Sequence, residues 1–176
     1  TLLDHGVPVL GVALHETEHL SVNRDRMEKM GLAPGPWLRS QDQYGDFNLR
    51  LEYKVKEAGN SGVYVMGRYE VQLCDSAGKE ANLEMGDCGG IYRGEHWPGR
   101  APDFNAFREA GQWHDLDLEF QPPRFDASGK KTENARMLRV RIDDVLLHEN
   151  VELPEPTLGA LYTDEAPLGP LMIQGD

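Results

Sequence analysis

Arginine, glutamate and glutamine recur at every second position of one short segment, RYEVQLCD, as Arg68, Glu70 and Gln72, with Asp75 and Ser76 at its end. Side chains of a strand alternate between faces, so these three share one face with Cys74 while Tyr69, Val71 and Leu73 share the other. A guanidinium, a carboxylate and an amide in register are groups that grip sugar hydroxyls, and a carboxylate so placed can move a proton. The same row also fits a solvated outer face with an Arg–Glu pair, because exposed ion pairs are common and contribute little. Periodicity alone leaves both readings open.

Other residues could join such a site. Upstream, GNSG puts Gly59 and Gly62 where a ligand or another backbone could approach closely. Downstream, the long loop YRGEHWPGRAPDFNAF carries His96, Trp97, Phe104 and Phe107. Its rings either tuck onto the core or, at Trp97, offer an indole face to a pyranose. His114 and His148 lie at the ends of strand-like runs, where imidazole can act as a base near neutral pH. His114 shares a face with Leu116, Leu118 and Phe120, which fits a core-edge histidine equally well. His15 and His19 are spaced i,i+4 without a third ligand, and no metal is assigned to them. Cys74 and Cys88 are expected to be free, since two cysteines outside a Cys-x-x-Cys spacing make no framework.

The elements that must position these groups are mostly strands. Phe47, Leu49, Leu51, Tyr53 and Val55 alternate with Asn48, Arg50, Glu52 and Lys54. Leu116, Leu118 and Phe120 alternate with Asp115, Asp117 and Glu119, and Leu138, Val140 and Ile142 with Arg139 and Arg141. Each run predicts a half-buried strand. Gly67 marks a turn between two strands in 59–76, and Asp143–Asp144 marks another before VLLH. One short helix is expected at about 21–30, stopped by Gly31, Pro34 and Pro36. Many short strands separated by Gly- and Pro-rich turns predict an all-β, jelly-roll-like antiparallel sandwich.

With 176 residues the chain fits a single domain, and its net charge of −12 argues against a nucleic-acid partner. No apolar run is long enough for a spanning helix, and the first residues lack the pattern of a signal peptide. A nucleophile elbow, a phosphate loop and a dinucleotide fingerprint are all missing from the sequence, so serine hydrolase, NTPase and NAD-enzyme readings have no support.

Eight segments in one order, YGDFNLRLEYKV, GNSGVYV, RYEVQLCDS, CGGIY, GQWHDLDLEF, PRFD, LHENVEL and GPLMIQGD, resemble the 3-keto-disaccharide hydrolase family across 37–176. The resemblance implies a concanavalin- or laminin-G-like sandwich from an exported bacterial protein, periplasmic or secreted, acting on glycosides whose C3 hydroxyl is oxidised to a ketone. Such a ketone acidifies the C2 hydrogen, so a base can form an enolate that expels the C1 oxygen by elimination, with or without later hydration. The runner-up is a non-catalytic carbohydrate-binding domain, and a third reading is an interaction domain of a larger surface protein.

Carried onto this chain, the motif positions are Arg68, Glu70, Gln72, Asp75, Tyr92, His114, His148 and Gln174. Glu70 is expected as the base or a metal-orienting carboxylate, Arg68 or a bound divalent cation as the enolate stabiliser, and His114 as the competing base. Gln72, Asp75, Tyr92, Trp97, His148 and Gln174 are expected to bind substrate. No organic cofactor is expected. Residues 1–36 do not show the family's opening strand, and the family pattern continues past IQGD into a histidine, a glycine and a further strand, so an unpaired edge is expected there.

Overall fold

The alternation of apolar and polar residues builds the first sheet directly. In β3 (Phe47–Lys54), Phe47, Leu49, Leu51 and Tyr53 are buried while Arg50 and Glu52 are exposed. The neighbouring β6 (Trp113–Gln121) pairs antiparallel so that Phe47 meets Phe120, Leu49 meets Leu118 and Leu51 meets Leu116, apolar against apolar. Beyond it lie β9 (Ala135–Ile142) and β10 (Val145–Leu153), joined through Asp143 and Asp144. Both turn residues adopt positive φ, 49° and 64°, as a two-residue turn matched to strand twist requires. A further strand, β1 (Val9–Ala13), pairs with β3 in parallel, the one departure from the expected antiparallel pattern among the described strands. The five-stranded order is β1-β3-β6-β9-β10. This computed structural model describes residues 9–13 and 37–174, so the helix expected at 21–30 and the His15/His19 pair lie outside the described residues.

The second sheet contains β2 (Trp37–Arg39), β4 (Asn60–Val65), β5 (Tyr69–Cys74) and β11 (Met172–Gln174), in the order β2-β11-β4-β5. A small hairpin of β7 (Arg124–Phe125) and β8 (Lys131–Glu133) stands apart. Tyr69, Val71, Leu73, Val63 and Ile173 face the first sheet, and the Tyr69 ring lies 5.7 Å from that of Phe120. The fold is an all-β sandwich with no helix among the described residues. Each fully buried leucine or phenylalanine contributes about 2 kcal/mol of hydrophobic free energy. This core forms around Cys74 and Cys88 as free thiols, as expected.

One expectation needs correction. Leu138 does not join Val140 and Ile142 in the core but is 36% exposed. Glu119 pairs with Arg139 while Phe120 pairs with Met137, so Leu138 is an extra residue in a β-bulge. The bulge inverts the parity of the strand, and Met137 takes the buried place. In the second sheet β11 pairs with β2 on one side and β4 on the other.

One edge of this sheet is β5, and its backbone is covered. Gly89 and Tyr92 donate their N–H groups to the carbonyls of Gln72 and Glu70, at 2.7 and 3.1 Å, and the Gln72 N–H reaches Gly90 at 2.9 Å. Thr157 closes the remainder, donating to the Arg68 carbonyl at 2.7 Å and accepting the Glu70 N–H on its hydroxyl at 3.0 Å. With its donors and acceptors engaged, the edge cannot template pairing with another chain.

Candidate functional site

The β4–β5 hairpin sets the geometry. Met66 and Gly67 have φ of 58° and 64°, and the Arg68 N–H closes the turn on Val65 O at 3.0 Å. This register puts Tyr64 opposite Glu70 and Gly62 opposite Gln72, while β11 brings Gln174 to the other side of Gly62. Facing away from the sandwich core there are thus two rows, Met172–Tyr64–Glu70 and Gln174–Gly62–Gln72, on strands roughly 4.8 Å apart.

Arg68, Glu70 and Gln72 are all buried, so the solvated-face reading fails. Glu70 is only 2% exposed, and burial raises its pKa to about 7, against the opposing effect of a hydrogen bond from Tyr64. Arg68 does not compensate the charge. Its guanidinium bonds to the Asp164 carbonyl at 2.5 Å, the Asp164 carboxylate at 3.1 Å and the Met66 carbonyl at 2.9 Å, and stacks on the Tyr162 ring at 4.7 Å. Arg68 therefore ties the strap at 162–164 to the hairpin. Glycine at 62 is required by space, since a Cβ there would stand 2.3 Å from Glu70 Oε1. Gln72 is 6% exposed, and its Oε1 has no hydrogen-bond partner among the described residues. A buried acceptor left open in this way is costly unless something else satisfies it.

Tyr92 is half-buried, its N–H bonded to the Glu70 carbonyl, with its phenol near that of Tyr64. Glu70, Gln72, Gln174 and Tyr92 are thus brought together. Other expected members stand apart. Asp75 spends its carboxylate on the N–H groups of Ala58 and Ala77, at 2.9 and 3.1 Å, which pins the hairpin end. Trp97 is packed partly against the core, Phe107 is buried and Phe104 is exposed, so the aromatic loop tucks in only two of its three rings.

His114 occupies the core face of β6, in the opposite sheet from Glu70. Its ring is stacked between Tyr53 at 5.5 Å and Phe107 at 4.6 Å, and Nδ1 bonds to Asp143 at 2.7 Å. Burial raises the Asp143 pKa, but the Asp115 N–H, His114 and Arg108 outweigh it and hold the carboxyl below its usual range. His148 is 1% exposed and donates from Nε2 to Gly89 O at 2.8 Å, while burial lowers its pKa. It supports the segment covering β5 and does not line the Glu70 face.

Sequence reading singled out Gly62 for close approach but missed Tyr64 and Thr157. Tyr64 was accessible, since a two-residue turn at Met66–Gly67 pairs it with Glu70. Thr157 carried no local signal, being 87 residues from Glu70. Among the described residues no three His, Cys, Asp or Glu side chains come together to hold a metal ion. No helix among them is long and apolar enough to cross a membrane.

Relatives agree with this architecture. A crystal structure of a proposed glycosyl hydrolase from Parabacteroides distasonis superposes with a TM-score of 0.63 at 21% identity, covering 80% of this chain and 61% of that one. A second from the same organism gives 0.54 at 19% identity, covering 80% and 75%. The chain thus spans less than two thirds of the first relative, and at these identities the likeness concerns the fold. No curated protein matches the chain. The model of the 3-keto-alpha-glucoside-1,2-lyase-like domain matches residues 14–176, reaching further toward the N-terminus than the resemblance at 37–176. Sandwich, hairpin register and family match agree, and the chain belongs to the 3-keto-alpha-glucoside-1,2-lyase-like domain family.

Proposed function

We propose that this domain cleaves 3-keto-glycosides by elimination, with Glu70 as the base. The observation carrying the reading is a buried carboxylate without a cationic partner among the described residues, its pKa raised to about 7, beside a tyrosine hydroxyl and an amide with an open acceptor. A base poised near neutrality gives the best product of ionised fraction and proton affinity.

Glu70 takes the C2 proton, and the C2–H electron pair moves into the C2–C3 bond as the C3 carbonyl becomes an enolate. The pair then returns to form the C1–C2 double bond as the C1–O bond breaks, and the leaving oxygen takes a proton from Glu70 or water. The product keeps the C3 ketone as an enone, and later addition of water gives the net hydrolysis product. Arg68 is too fully engaged with Asp164 and Met66 to reach the enolate, so the stabilising donors are the hydroxyls of Tyr64 and Tyr92. The amides of Gln72 and Gln174 hold sugar hydroxyls. The steps use this chain's own side chains, and none is routed through a cation.

A chromogenic 3-keto-glucoside tests this. Aglycone release with enone absorbance, together with loss of deuterium from C2, is the expected result. Sugar binding without release would make the domain a non-catalytic carbohydrate binder.

A further inference from the structure

The turn at His96–Trp97, on the loop that begins at Tyr92, is stapled by one carboxylate. Oε1 of Glu155 accepts the N–H groups of both His96, at 2.5 Å, and Trp97, at 2.7 Å. The turn they belong to is closed by Gly94 N–H to Trp97 O at 3.0 Å. Glycine at 94 makes this fit, since a Cβ there would stand 2.3 Å from the same Glu155 oxygen. Those backbone donors also hold the Glu155 pKa below its usual range.

The residues just after Glu155 grip the strand that carries the base. The Thr157 N–H reaches the Arg68 carbonyl at 2.7 Å, and its hydroxyl accepts from the Glu70 N–H and donates to the Tyr92 carbonyl at 3.4 Å. Leu158 N–H adds a bond to Arg93 O at 2.9 Å. One short segment therefore sets the distance between Glu70 and the loop that rises from Tyr92 to Trp97. This loop is joined to Glu70's own strand through Tyr92 and Thr157, so it is the segment offered to the C1 substituent of a ring seated over Glu70. Its exposed His96 and half-buried Trp97 suit the hydroxyls and C–H face of a pyranose.

We propose that Glu155 is a positioning residue that holds the His96–Trp97 turn as the subsite for the leaving sugar of a 3-keto-disaccharide. The proposal rests on the reading of Glu70 given above. Its test compares wild type, Glu155→Ala and Gly94→Ala on two substrates, a 3-keto-disaccharide and methyl 3-keto-glucoside, both followed by enone absorbance. Amide exchange at His96 and Trp97 is measured alongside.

Both variants are expected to raise KM for the disaccharide about tenfold, equivalent to ~1.4 kcal/mol. The methyl glycoside is expected to change less than about twofold, because it makes no use of the loop. Exchange at the two amides should quicken about tenfold as their shared acceptor is lost. Unchanged exchange overturns the clasp, and equal losses on both substrates overturn the subsite. A wild type inactive on both substrates instead sinks the Glu70 reading and the subsite with it, while exchange still decides whether the clasp exists.

Discussion

Glu70 and His114 are both buried titratable groups on strands, and the fold treats them in opposite ways. His114 is clamped between two rings with a carboxylate on Nδ1 and a guanidinium behind it, Arg108 to Asp143 at 2.8 Å. Its Nδ1 is answered locally, although Nε2 has no hydrogen-bond partner among the described residues. Glu70 lies on the outward face of its sheet, without a cationic partner among the described residues, beside a glycine that leaves its carboxylate room. Its burial raises free energy that stability alone does not explain, and perturbed groups of this kind mark functional sites. Burial alone therefore does not separate the two; an oppositely charged partner, which His114 has in Asp143 and Glu70 lacks among the described residues, does.

The sharpest way to break the contrast is to neutralise each group. Glu70→Gln is expected to lower turnover of a 3-keto-glucoside about a thousandfold, the loss expected for a general base. His114→Ala is expected to cost about 3 kcal/mol of stability in urea titration, from lost packing and an abandoned carboxylate, with turnover retained. Loss of turnover in a folded His114→Asn variant would transfer the base role to His114.

Titration sharpens the contrast. Glu70 has a folded-state pKa raised from 4.5 to about 7, so it binds its proton more tightly in the folded protein. The associated stability is complete below about pH 4.5 and is lost as pH rises through about 7, amounting to about 3 kcal/mol. Glu70→Gln should therefore gain stability relative to wild type between pH 4.5 and 8. The wild-type kcat/KM should rise with pH across a midpoint near 7 as the carboxylate forms. Asp143 has the opposite sign, its depressed pKa giving stability that is present above its unfolded value and lost in acid.

Smaller effects are expected from geometry alone. Gly62→Ala should push the carboxylate aside and lower kcat/KM by up to about a hundredfold with the base still present. Leu138→Lys, on the bulge, should change stability by less than about 0.5 kcal/mol, whereas Val140→Ala in the same strand should cost about 2 kcal/mol. A large cost at Leu138 would contradict the bulge.

Much of the fold was legible in single residues. Alternation identified β3 and β6, and the paired aspartates marked the β9–β10 turn, because period-two burial and positive-φ turns are local properties. The bulge at Leu138 was not legible, since the extra residue has meaning only against its partner strand. The candidate site was half legible, with Glu70, Gln72, Tyr92 and Gln174 converging while Arg68, Asp75, His114 and His148 do other work.

By itself the sequence determined that Arg68, Glu70 and Gln72 share one face of β5 and that Tyr69, Val71 and Leu73 share the other, because strand geometry leaves no alternative. Only the tertiary structure decided whether that polar face meets water. Its fate depends on Gly89 to Tyr92 and on Thr157, which return to β5 from distant parts of the chain and use its free edge. Likewise, Arg68 could not be told from a substrate ligand until Asp164, 96 residues away, was found in its grasp. Covalent geometry assigns the faces, and long-range packing assigns the solvent that each face meets.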